Sequence, residues 1–153
     1  MELQIRPVTD FNEALGLVDE LDRLTAVTVA EYRDTPLASG CSKRILDRHF
    51  EQSTCLLLLA EDASDKSRLG ICLIAPFEDP LTGELTPVVV LLHVENEIRH
   101  RGVARALVKN AITILGERGH SALAARAAHN DDALISMGER WGFLRQWEFM
   151  VHE

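Results

Sequence analysis

A chain of 153 residues with 46% hydrophobic and 26% charged content has the make-up of a folded globular protein and is long enough to bury one substantial core. Its net charge of -8, from 24 acidic against 16 basic residues, opposes a long anionic partner, so nucleic acid is not an expected ligand. The opening MELQIRPVTD lacks an apolar stretch of signal-peptide length, and no later run approaches the roughly 18 apolar residues of a membrane span; a cytoplasmic protein without a membrane partner is expected.

Leu3 and Ile5 alternate toward Pro7 and Val8 as a short opening strand, after which Asp10 caps a helix whose Ala14, Leu15, Val18, Leu21 and Leu24 keep helical spacing. Pro and Gly in residues 34–40, DTPLASG, break that pattern, and residues 42–52 resume as a second helix with Ile45, Leu46 and Phe50 on one side. TCLLLLAE and LGICLIAP flank the polar DASDKSR and predict an antiparallel hairpin. Cys55 and Cys72 fall inside these runs, and with Cys41 they are read as reduced thiols, so no metal is expected.

Residues 76–87, PFEDPLTGELTP, are rich in turn formers, and residues 88–94, VVVLLHV, have the composition of a central strand buried on both faces. Residues 101–118 place Val103, Ala104, Leu107, Val108, Ala111, Ile112 and Leu115 on one helical stripe, with Arg105, Lys109, Asn110 and Arg118 opposite and Gly119 as the stop. ALAARA predicts a fifth strand, Asp131 and Asp132 the start of a helix ending near Trp141, and residues 146–153, QWEFMVHE, a closing strand. Trp141, Phe143, Trp147 and Phe149 are read as core residues. The element order predicts a single domain over residues 1–153 of the α/β (α+β) class, a mixed sheet with helices on its faces.

Between the central strand and the long helix lies ENEIRHRGVA, where Arg99, Gly102 and Ala104 give the spacing Arg-x-x-Gly-x-Ala at a helix start. Unpaired N–H groups and the positive end of the helix dipole favour an anion there, small residues allow its close approach, and Arg99 and Arg101 add charge. The same glycine also suits an ordinary tight turn.

In this context RHRGVA resembles the signature Gln/Arg-x-x-Gly-x-Gly/Ala of the GCN5-related N-acetyltransferase (GNAT) family. LHVENEIRHRGVARALV looks like that family's strand, phosphate loop and helix, ALAARAAHN like its next strand, and DDALISMGERWGF like its last helix and Gly-Phe ending. The resemblance implies a mostly antiparallel central sheet splayed beside the central strand, with acetyl-CoA as co-substrate. It implies that the pantetheine arm pairs with backbone near Val94. The pyrophosphate would be wrapped by the loop and helix start at Ile98, Arg99, His100, Arg101, Gly102, Val103, Ala104 and Arg105, and Asn130 would meet the arm. The activity implied is acetyl transfer to a primary amine, on a small molecule or a peptide, by direct attack in a ternary complex.

An alkylamine of pKa about 10.4 holds its proton at neutral pH, so such a transfer gains from a base. His93 points to the face opposite Leu92 and Val94 and is the first candidate, with Glu95 of the same parity acting directly or through water. His93 reads equally as a satisfied buried histidine, and Glu95 as a solvated loop charge. The family often places a Tyr four residues before the Gly-Phe ending to protonate the leaving thiolate. This chain departs from it, with Gly138 or Met137 there, Ser136 as the nearest hydroxyl, and its one tyrosine, Tyr32, in the N-terminal region. Glu31, Asp34 and Glu78 are candidates for drawing a cationic acceptor, or are solvated surface charges. The alternative to an enzyme is a non-catalytic acyl-CoA-binding or protein-interaction module on the same fold, and a homodimer is the commonest assembly to expect.

Overall fold

The unbroken apolar runs of LLLLA and LGICLIA set the middle of the sheet, because strands covered on both faces have no use for polar alternation. The structure, a computed structural model, describes residues 1–30, 36–146 and 150–152. Four antiparallel strands pair in the order β1-β2-β3-β4, with β1 Leu3–Pro7, β2 Leu56–Asp62, β3 Arg68–Glu78 and β4 Leu85–Val94.

One face carries α1 (Phe11–Leu15), α2 (Val18–Ala30) and α3 (Cys41–His49), whose Leu21, Leu24 and Leu46 pack on Leu57, Leu59, Ile71, Leu73 and Leu91. The other carries α4 (Val103–Glu117), whose Val103, Leu107, Ala111 and Leu115 pack on Leu56, Leu58, Cys72 and Ile74. Each fully buried leucine contributes about 1.5–3 kcal/mol relative to exposure. A last helix, α5 (Asp132–Arg140), begins where the Asp131 carboxylate accepts the Leu134 N–H at 3.0 Å and buries none of its residues.

The expected first helix is broken in two at Gly16 and Leu17, where Leu17 N–H bonds Ala14 O at 3.0 Å in a tightened turn. Glycine is a poor helix former, and the break leaves Ala14, Leu17, Leu21 and Leu24 buried along one line. Asp10 caps α1 as expected, and Asp22 of α2 caps α3 from outside by accepting the Ser42 N–H at 2.9 Å. Charges fasten the helices to the sheet: Arg6 on β1 bonds Glu13 at 2.8 Å and Glu61 at 2.6 Å, and Arg68 on β3 pairs with Glu20.

β4 starts at Leu85, three residues earlier than the valine run suggests, because the hairpin turn is compact. There the Asp79 carboxylate accepts the N–H groups of Leu81 and Thr82 at 2.8 and 3.0 Å, and Gly83 takes φ +72°. The expected fifth strand is reduced to one parallel bridge between Val88 and Ala124. An alanine-rich run has weak strand preference and little area to bury. Trp141 and Phe143 are half-buried and belong to neither core cluster. Trp147 and Phe149, within the expected closing strand, lie outside the described residues, as do Glu31, Tyr32 and Asp34. No described helix is long and apolar enough to cross a membrane.

Candidate active site

The site begins with the exposed edge of β4. Val89 N–H donates to Ala124 O and Ala124 N–H to Pro87 O, both at 2.9 Å, and there the pairing on this side ends among the described residues. Just beyond, the register against β3 slips, since Leu73 faces Leu91 while Ile74 faces Val89. Val90 is the extra residue of a bulge, which bends a strand and ends pairing beside it. Among the described residues, 90–94 therefore present an unpaired edge. At the strand end Glu95 N–H donates to Leu69 O at 2.9 Å, toward β3. By the alternation of an antiparallel pair, the N–H and C=O of Val94 face away from β3 into the open edge. The Val94 carbonyl accepts from Arg99 Nε at 3.3 Å.

The chain then makes a 3-10 turn, Asn96–Ile98, and reaches α4. Ile98 packs against the α4-side core and Val103 is fully buried in it, so these two anchors leave residues 99–102 standing outside. Gly102, at φ +82°, is the N-cap residue of α4 without a side-chain cap, and a Cβ there would meet nothing within 4 Å. His100 is also left-handed, at φ +69°, a conformation that costs a non-glycine residue about 1 kcal/mol and that clusters at functional loops. The N–H groups of residues 100–105 donate to no acceptor among the described residues, and the first helical bond is Ala106 N–H to Gly102 O at 3.0 Å. The result is a row of free donors at the positive end of a helix dipole, flanked by the exposed side chains of Arg99, Arg101 and Arg105. In an otherwise acidic protein this is a local concentration of positive charge and free donors.

His93 alternates with Leu92 and Val94, which pack toward α4, so its side chain stands on the face covered by α1–α3. Its Nε2 lies 3.7 Å from Glu95 Oε1, with His93 23% and Glu95 43% exposed. That is longer than a hydrogen bond and within reach of an ion pair or a bridging water. His93, Glu95, Val94 and the residues from Ile98 to Arg105 are thus gathered around one strand end. Asn130 is exposed in the turn before α5, and Ser136 is exposed on α5 with no hydrogen bond tying its hydroxyl to His93 or Glu95. Met137 and Gly138, half-buried beside it, carry no dissociable proton. Glu78 sits seven residues beyond Ile71, the partner of His93, which at roughly 3.3 Å per residue puts it about 23 Å away at the other end of the sheet.

One positioning residue escaped the sequence reading. Gly70 faces Val94 across the sheet, and a Cβ on it would lie 2.8 Å from the His93 carbonyl oxygen, 3.2 Å from Leu107 Cδ1 and 3.4 Å from Val103 Cγ1. The lack of a side chain lets β4 and the first turns of α4 close on β3 together. A lone glycine inside an apolar strand is the signal that marks such a close approach.

The Acetyltransferase (GNAT) family model matches residues 19–143. Among solved structures the chain is similar to a ribosomal-protein-alanine N-acetyltransferase from Brucella melitensis biovar Abortus 2308, at 19% identity over 100% of this chain and 99% of that one, with a TM-score of 0.69. It is also similar to the aminoglycoside antibiotic 6'-N-acetyltransferase AAC(6')-Ih from Acinetobacter baumannii, at 14% identity over 99% and 97% of the two chains, with a TM-score of 0.68. A third likeness is to AAC(6')-Iy in complex with the bisubstrate analog CoA-S-monomethyl-acetylneamine, at 13% identity over 100% and 98%, with a TM-score of 0.70. No curated protein matches by sequence. With more than three quarters of its length under the family model and a sheet and helix order shared along the whole chain, this protein belongs to the GNAT acetyltransferase family.

Proposed function

We propose that this chain, as one domain, transfers the acetyl group of acetyl-CoA to a primary amine by direct attack in a ternary complex. The observation that carries the proposal is the junction at Val94, where an unpaired strand edge runs into a loop of free amides while His93 and Glu95 stand on the other side of the same strand. An extended amide-bearing arm adds to such an edge as a further strand, and a pyrophosphate suits residues 100–105 with Arg101 and Arg105. Ile98 holds the loop in place, and Asn130 borders the arm.

His93, alone or through water with Glu95, takes the proton of the acceptor ammonium. The amine nitrogen then attacks the thioester carbonyl and the C–N bond forms; the nitrogen gives its second proton to water, the C–S bond breaks, and the sulfur leaves with the bonding pair. A thiol with an ordinary pKa of about 8.5 departs as thiolate at a cost of only about 2 kcal/mol at pH 7. The chemistry therefore proceeds without the tyrosine that α5 lacks, with Ser136, the hydroxyl nearest in sequence to that position, as the candidate donor of a proton relayed through water. Cys55 and Cys72 do not serve as acyl carriers, because burial pushes their thiols up to about 11 and about 12.

The acceptor class follows the solved relatives, an amine of a small cationic molecule or of a protein N-terminus. The test is release of free thiol from acetyl-CoA against a panel of aminoglycosides, polyamines and N-terminal peptides, with wild type and His93→Ala compared at saturating acetyl-CoA. Turnover that falls at least ten-fold in the variant while CoA affinity holds supports the assignment, and equal rates remove His93 from the mechanism. The replacement of the tyrosine position by Met137 or Gly138 favours one second reading, a non-catalytic acyl-CoA-binding module. Tight CoA binding without thiol release across the panel would establish that reading instead.

A further inference from the structure

We infer that Arg99 is a latch on the cofactor edge, holding the Val94 carbonyl until the arm of the incoming acyl-CoA displaces it. The inference rests on the acyl-CoA reading of the site and assigns this residue something other than the plain phosphate contact its position in the motif suggests.

Val94 is the last residue of β4, and the alternation fixed by the bond from Glu95 N–H to Leu69 O turns its carbonyl into the unpaired edge. That carbonyl stands at the mouth of the edge, and a strand-like ligand engages it to pair with β4. One of its two acceptor positions is already used: Arg99 Nε donates to it at 3.3 Å across the five residues of the turn. The turn enforces this closeness. Ile98 is drawn into the α4-side core, and Arg99, at φ -59° and ψ 150°, is extended immediately after it.

The guanidinium is exposed and makes no ion pair among the described residues, so its release costs only the one bond. Phosphates have the free amides of residues 100–105 and the side chains of Arg101 and Arg105 to bind, and these do not require the latch to open. A ligand with phosphates alone leaves Arg99 on Val94. A ligand with phosphates and arm lays the arm along the edge where the guanidinium stands and turns the guanidinium to solvent. The latch therefore weakens the contribution of the arm specifically, and it shields the acceptor of an edge that would otherwise be free to pair with another chain.

The test compares two probes, CoA and 3'-phosphoadenosine 5'-diphosphate, which keeps every phosphate of CoA without its arm, by calorimetric titration of wild type, Arg99→Ala and Arg101→Ala. The ratio of the arm-less probe's Kd to the CoA Kd measures what the arm adds. Removing one side-chain hydrogen bond to a carbonyl should raise that ratio about two- to ten-fold in Arg99→Ala. Arg101→Ala should weaken both probes together and leave the ratio as in wild type. A ratio that is unchanged or lowered in Arg99→Ala overturns the latch and makes Arg99 a phosphate contact. Failure of wild type to bind either probe is a different result, which removes the acyl-CoA reading itself and the latch with it. Both arginines are exposed, and unchanged thermal unfolding of the free variants confirms that neither substitution acts through folding.

Discussion

Gly70→Ala adds one methyl group at the point where β3, β4 and α4 meet. The new Cβ would stand 2.8 Å from the His93 carbonyl oxygen, closer than such atoms pack, with Leu107 and Val103 side chains at 3.2 and 3.4 Å behind it. The oxygen belongs to backbone and cannot swing aside, so the strands must part. Overpacking of this kind costs about 1–3 kcal/mol. Replacing glycine by alanine returns about 0.4–1 kcal/mol through a less disordered unfolded chain. The expected net loss is about 1–2 kcal/mol, or roughly 2–8 °C in Tm for a chain of this size. Urea unfolding measures it directly. The shift of the His93 carbonyl also disturbs the strand end, so acetyl transfer at a temperature well below both transitions should fall further than the change in folded fraction explains. An unchanged or higher urea midpoint would refute the close-packing argument, and full activity in a destabilised variant would refute the positioning role.

His100→Gly relieves a left-handed backbone at a position with no buried side chain and should raise stability by about 0.5–1 kcal/mol in urea unfolding, the reverse of what Gly102→Ala does at φ +82°. Of the three free thiols, half-buried Cys41 should react first with a disulfide reagent at pH 8, while Cys55 and Cys72, raised by burial to about 11 and about 12, wait for unfolding. The carboxyls of Glu13, Asp62, Asp65 and Asp79 are held below their ordinary values, Glu13 by the Arg6 guanidinium and the others by hydroxyl or amide donors in their turns. A depressed folded value adds stability above the unfolded value of about 4 that is lost as pH falls through the folded one. Urea midpoints should therefore decline below about pH 4, and Arg6→Gln should decline less steeply.

The helices, the hairpin and the glycine turn into α4 were legible because each rests on a local rule. Asp10 caps, apolar runs bury, and the motif around Gly102 opens a helix. The open edge was not legible, since it arises from a one-residue slip of β4 against β3 at Val90, which no feature of VVVLLHV announces. The weakness of ALAARA as a strand follows instead from its alanines, which have weak strand preference and little area to bury. The break at Gly16 was visible as a glycine but was overridden by apolar spacing that continues on both sides of it. His93 and Glu95 share a face because strand parity fixes it, whereas the contact of Arg99 with Val94 depends on a turn whose path is set by burial of Ile98.

The claim that residues 92–105 form an acyl-CoA site is tested most directly by thermal unfolding with acetyl-CoA, for wild type and Gly102→Val. Ligand at 100 times its Kd adds about 2.7 kcal/mol, which for this chain length is roughly 5–11 °C. That shift is expected for wild type and none for the variant, whose side chain would fill the space before the free amides. Wild-type unfolding that does not move in millimolar acetyl-CoA would contradict it.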